Sequence, residues 1–198
     1  MDWRGVFFQQ HAGTHSTAVG TESVVRYEDI VLGGLSDAQM RLRPADDQNS
    51  LAWLVWHMAR CEDVAVNAAI AGQDQVFEDG WAAKMGVERA DIGTGMTPDE
   101  VADLSERIDL DALVAYRHAV GLQTRDVIAT IDDEQLQAPV DPDRYRRAAV
   151  LGEHAGWVGD FWAPWHGTDF LYLATGHSYQ HWGEAITVRA LGGFSLGH

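Results

Sequence analysis

The sequence predicts an all-α protein, a four-helix bundle with a long connection between its second and third rods. Three observations carry this. Apolar residues recur at helical spacing in four separate segments. Serine, threonine or aspartate stands at the start of three of them, and glycine follows three. At 198 residues and 46% hydrophobic content, the chain suits a single domain with a real core. The bundle is expected to occupy about residues 20–192 of one domain spanning 1–198.

Residues 1–15 read as an aromatic and polar arm with no assignable structure. A first helix is expected from Thr21 to Leu32, with Val24, Tyr27, Val31 and Leu35 as its stripe and Gly33-Gly34 as its stop. Ser36-Asp37-Ala38-Gln39 reads as a capped single turn. Asn49-Ser50 caps the second helix, Leu51 to Ala71, which Gly72 closes. Its inner stripe is Leu54, His57, Cys61, Val64 and Ala68, and the charges of Arg60, Glu62 and Asp63 are expected to face mostly away. A histidine thus stands where leucine is expected.

Residues 73–109 form the long connection, with a capped turn at Thr97-Pro98-Asp99-Glu100 where threonine caps and proline takes the first helical position. A connection of this length is often functional. The third helix runs from Leu110, capped by Asp109, to Ile131, with Leu113, Val120, Thr124, Val127 and Ile131 inward. Asp132 to Arg147 reads as turns. Residues 148–165 are ambiguous, because Gly152, Gly156 and Gly159 weaken a helical pattern. The fourth helix is expected from Thr168-Asp169 to Leu191, with Phe170, Leu173, His177, His181, Glu184 and Val188 facing in.

Bulk properties exclude several functions. A formal charge of −16 opposes binding to nucleic acid or to anionic membranes. The longest apolar stretch, 51–59, is too short to span a bilayer, and the N-terminus lacks the pattern of a secretion signal. The one cysteine, Cys61, fits a reducing cytoplasm.

The chemistry lies in three histidines. His177 and His181 are one helical turn apart and leave the same face; His57 faces inward from another helix. One pair and one distant residue form the ligand pattern of an open metal site for zinc or a similar ion. Burying three unpaired imidazoles costs on the order of 1–3 kcal/mol each, so a shared cation is the economical partner. Glu184, three residues after His181, could orient a water, act as general base, ligate directly, or lie half-exposed at the helix end. Cys61 could approach the metal as a thiolate, although a small buried hydrophobe is the simpler reading. His118 and Arg125 fall off the stripe and are expected in solvent. His154 and His166 are possible extra ligands. His11, His15 and His198 look incidental. The run Phe161-Trp162-Ala163-Pro164-Trp165 could line a pocket mouth, with loop packing the preferred reading.

The run Ser50-Leu51-Ala52-Trp53-Leu54-Val55-Trp56-His57-Met58-Ala59-Arg60-Cys61-Glu62-Asp63 resembles the second-helix motif of the DinB-like superfamily. His177-Ser178-Tyr179-Gln180-His181-Trp182-Gly183-Glu184 resembles its last-helix motif, with Glu184 in place of the usual glutamine. The stretch from Gly80-Trp81 to Thr97-Pro98-Asp99-Glu100-Val101 is similar to an insertion of actinobacterial members. The resemblance covers most of 20–192. It implies an up-down-down-up bundle, often a homodimer, with a divalent metal, usually zinc or nickel, held by His57, His177 and His181. It further implies a low-molecular-weight thiol as co-substrate. Characterised relatives include S-transferases using bacillithiol or mycothiol and a mycothiol-dependent maleylpyruvate isomerase. The all-histidine set looks more like the transferase branch, since the isomerase has a carboxylate ligand. The expected function is transfer of a thiol to an electrophilic substrate. The alternatives are a hydrolase with Glu184 as base and a non-catalytic stress protein that binds a metal or ligand.

Overall fold

The computed structural model describes residues 2–151 and 153–196, and among these the regular structure is helical apart from one bridge between Pro139 and His166. The second expected helix is the central rod. Ser50 caps α4 (Leu51–Asp63) by accepting from the Trp53 amide. The rod continues through wider, π-type turns over Val64–Ala71 and stops at Gly72, whose φ of 66° suits the left-handed cap.

Every residue of α4 is buried. The expectation that Arg60, Glu62 and Asp63 face away is therefore wrong, because neighbours enclose the rod on all sides. Arg60 donates to the Gln75 side chain, the Ala90 carbonyl and the Tyr116 hydroxyl. Asp63 accepts from the amides of Val76 and Phe77 and from the Tyr116 hydroxyl. These charge-assisted bonds clamp the 73–109 connection onto the rod. That connection holds α5 (Trp81–Met85) and α6 (Pro98–Arg107), the latter opened by the expected Thr97–Glu100 capping box.

The N-terminal arm is a helix, α1 (Trp3–Thr14), capped by Asp2. The first expected rod is shorter than its pattern: α2 runs from Tyr27 to Leu32. Arg26 explains the difference. Its buried guanidinium donates to the carbonyls of Ala12, Gly20 and Glu22, which folds residues 16–25 around it rather than into a helix. Ser36 and Gln39 form a capping box at α3 (Asp37–Arg41).

The third rod, α7 (Leu110–Thr130), starts at Asp109 and buries the expected Leu113, Val120, Thr124 and Val127. The stretch read as turns contains two short helices, α8 (Asp133–Gln137) and α9 (Pro142–Ala149), each begun by an aspartate cap. Pro142 sits at the start of α9, where proline favours a helix. The ambiguous stretch contains α10 (Gly156–Trp162), and the Arg146 guanidinium lies over Gly159, 2.5 Å from where a Cβ would sit.

The fourth rod is broken. A cap at His166 opens α11 (Gly167–Ala174), and α12 (Gly176–Leu191) follows after Thr175, where the backbone leaves helical angles. Gly176 permits the break, since a Cβ there would meet the Tyr172 ring at 2.5 Å. No described helix is long and apolar enough to cross a membrane.

Candidate metal centre

The sequence-expected histidines converge. His57 rises from the middle of α4, while His177 and His181 stand one turn apart at the start of α12. The ring centre of His57 lies 5.1 Å from that of His177 and 4.8 Å from that of His181. The Nε2 atoms of His177 and His181 are 3.2 Å apart. Two nitrogens bound at about 2.0–2.1 Å to one tetrahedral ion stand about 3.3–3.4 Å from each other. The pair is therefore already spaced for a shared ion, although the same distance also admits a hydrogen bond.

Neighbours select the tautomers. His57 Nδ1 faces the Ile92 carbonyl, an acceptor only, so Nδ1 carries the proton and Nε2 keeps its lone pair. His181 Nδ1 donates to Glu184 Oε2 at 2.8 Å, which likewise frees its Nε2. Trp53 stacks on His57 at 4.7 Å and fixes the ring plane. His177 Nδ1 is buried without a partner. Burial, reinforced by His181, lowers the His57 pKa to about 4. Burial, then His57 and His181, holds His177 well below the usual imidazole range. Both rings are thus neutral at pH 7, the form that binds metal.

A family model described as the DinB superfamily matches residues 26–185, a span that contains all three histidines and Glu184. The chain belongs to the DinB superfamily. Its fold is similar to the crystal structure of a conserved protein from Enterococcus faecalis, with a TM-score of 0.70 and 21% identity, covering 96% of this chain and 97% of that one. No curated protein matches the sequence.

Around this DinB centre the remaining expected residues take definite places. Glu184 has both oxygens engaged, Oε2 by His181 and Oε1 by Asn49, whose amide donates at 2.9 Å. Burial alone would raise its pKa, but the bonds from His181 and Asn49 hold it below the usual value. Cys61 Sγ lies 3.8 Å from both nitrogens of His57, and the ligand atoms of His57, Cys61 and His177 all fall within 4.8 Å of one another. Burial, only partly opposed by Arg60, pushes the thiol up to about 12, which keeps it protonated as long as no cation is near.

A cavity of about 150 Å³ opens over His57 and His177, and Phe161, Trp162 and Trp165 line it with Trp157 and Tyr172. The aromatic run does both: Trp162 and Trp165 pack against Phe170 as the preferred reading expects, and with Phe161 they also line the cavity. Trp157 and Phe161 remain 61% and 57% exposed, so they form the outer rim. A larger cavity of about 550 Å³, between residues 86–91 and α6, touches none of the three histidines.

Other histidine expectations need correction. His118 is bound by Glu28 and Ser16, and Arg125 pairs with Glu22, because α7 abuts the N-terminal segment. His154 and His166 are exposed and do not join the centre. His11 and His15 are not incidental: both are fully buried against Glu62. Their four-residue spacing, the same as that of His177 and His181, was the available signal. His198 lies outside the described residues.

Proposed function

We propose that His57, His177 and His181 hold a divalent transition metal, zinc or nickel, and that the protein transfers a low-molecular-weight thiol to an apolar electrophile. The observation that carries this is the three-imidazole cluster, in which two Nε2 atoms stand 3.2 Å apart, His57 donates from Nδ1 toward Ile92 and His181 donates from Nδ1 to Glu184. A divalent ion bound there supplies Lewis acidity, which favours the thiolate form of a thiol that reaches it. The protein's own residues do the rest. Glu184 keeps the His181 proton on Nδ1 and its ring in place, so it is a positioning residue. Trp162, Trp165 and Leu173 shield the cavity from water, and the rim of Trp157 and Phe161 offers flat apolar surface to a substrate.

A hydrolase would need Glu184 as a free base. The bonds from His181 and Asn49 hold its pKa below the usual carboxylate value against the effect of burial, which makes it a weaker base and favours thiol chemistry. The test is a conjugation assay on zinc- and nickel-loaded protein with a panel of aromatic electrophiles. Product that forms only when a thiol is added supports the proposal. Turnover with water alone, or no turnover with any thiol, overturns it.

A further inference from the structure

A second buried cluster lies apart from the first, on the other side of α4. His11 and His15 stand one turn apart at the end of α1, and Glu62 meets them from α4. All three side chains are fully buried. Glu62 Oε1 lies 2.8 Å from His11 Nε2, and Oε2 lies 2.9 Å from His15 Nε2. The two imidazole centres are 4.4 Å apart, and His11 is held by stacking on Phe7. Among the described residues, nothing else bonds to the Glu62 carboxylate.

His15 is the informative ring. Its Nε2 faces Glu62, while its Nδ1 lies 3.8 Å from the carboxylate of Glu28. That distance is too long for a hydrogen bond, so Nδ1, like that of His11, is buried without a partner. Either Nε2–H donates to Glu62 and leaves Nδ1 unanswered, or Nε2 gives its lone pair to a cation shared with Glu62 and Nδ1 carries its proton toward Glu28. His11 weighs against extra protons in this cluster. Its Nδ1 is buried without a partner, so an imidazolium there would leave a charged N–H unanswered. Arg117 donates to Glu28 and to the Thr14 carbonyl and keeps Nη1 buried without a partner, but it makes no bond to Glu62. Among the described residues, no lysine or arginine bonds to the buried Glu62 carboxylate, which meets only the two imidazoles.

We infer that His11, His15 and Glu62 form a second metal site, structural in role, for a divalent transition-metal ion. Two imidazoles and one carboxylate are a ligand set that zinc, iron or manganese takes in proteins. Neighbouring ligand atoms around an octahedral ion stand about 3.0 Å apart, close to the contacts observed here. The site joins α1 to the central rod. Its two histidines precede the matched family region, which begins at residue 26, so the inference is independent of the DinB centre.

The test uses the full chain purified without metal-affinity resin, stripped with chelator, equilibrated with Zn²⁺ and analysed for bound metal. The expected result is two equivalents in the wild type and one in the His57→Ala/His177→Ala double variant. Adding Glu62→Gln or His15→Gln to that double variant removes the remaining equivalent. The double variant leaves this cluster intact, so it reads the site even if Glu62→Gln does not fold. Zinc should also raise the thermal midpoint of the double variant by several degrees, and Co²⁺ should give visible d–d bands in it. A folded double variant that takes up no zinc overturns the inference. A wild type that holds one equivalent, lost with His15→Gln but kept with His57→Ala, supports this site and overturns the first.

Discussion

Replacing Glu184 by alanine tests the logic of the DinB centre at its support rather than at its ligands. The lost contact is a charge-assisted bond of 2.8 Å to His181 Nδ1. Such bonds contribute about 1.5–3 kcal/mol, but the Glu184 side chain is 36% exposed, so solvent screening favours the lower half of that range. A loss of about 1.4–2 kcal/mol corresponds to a 10- to 30-fold weaker metal affinity, within the range typical of residues that orient a ligating histidine. Glutamine should do better than alanine. Its carbonyl can still accept from His181, and only the Asn49 amide has to turn. Competition against a chromogenic chelator at pH 7 measures both variants. Affinity of Glu184→Ala within twofold of wild type, in folded protein, would refute the positioning role.

Three further outcomes follow from the packing. Opposite to what burial alone would do, His118, Arg117 and His15 hold the Glu28 pKa at about 2. A depressed carboxylate stabilises the fold above its unfolded pKa of 4.5, a contribution lost as pH falls from there toward 2. Glu28→Gln should therefore cost about 3 kcal/mol at pH 7 in denaturant titrations and flatten the stability profile over that window. His57 adds a second window in metal-free protein: its folded pKa of about 4 lies below the free value of 6.5, so the unfolded chain takes up the proton first. Stability should rise with pH between about 4 and 6.5, and His57→Phe should lessen that slope by its own proton while the lowered His15 and His177 keep the rest. Gly176→Ala places a methyl against the Tyr172 ring and should destabilise by about 1–3 kcal/mol, with recovery in the Gly176→Ala/Tyr172→Ala double variant.

The central rod, α7 and the convergence of His57, His177 and His181 were legible because their apolar stripes are long and their caps are strong. Ser50, Asp109 and Gly72 act where the pattern placed them. The failures have physical causes too. Periodicity assumes one buried face, and α4 has none exposed, so Arg60, Glu62 and Asp63 read as surface when they are internal clamps. The break at Thr175 depends on the Tyr172 ring lying over Gly176, a contact that spacing does not express. Residues 21–25 look helical until the Arg26 guanidinium collects the carbonyls of Gly20 and Glu22. Their place near a terminus makes His11 and His15 look incidental, yet α1 packs its end into the bundle and buries both. The aromatic wall of Phe161, Trp162 and Trp165 needed the fold of 148–165, where glycines obscure the helical signal.

Anomalous diffraction from crystals grown with zinc or nickel tests the DinB centre most directly. The account expects a metal peak bonded at about 2.0–2.1 Å to nitrogens of His57, His177 and His181 together. Density that contains no metal between α4 and the start of α12, with the three rings merely hydrogen-bonded to one another, would contradict it.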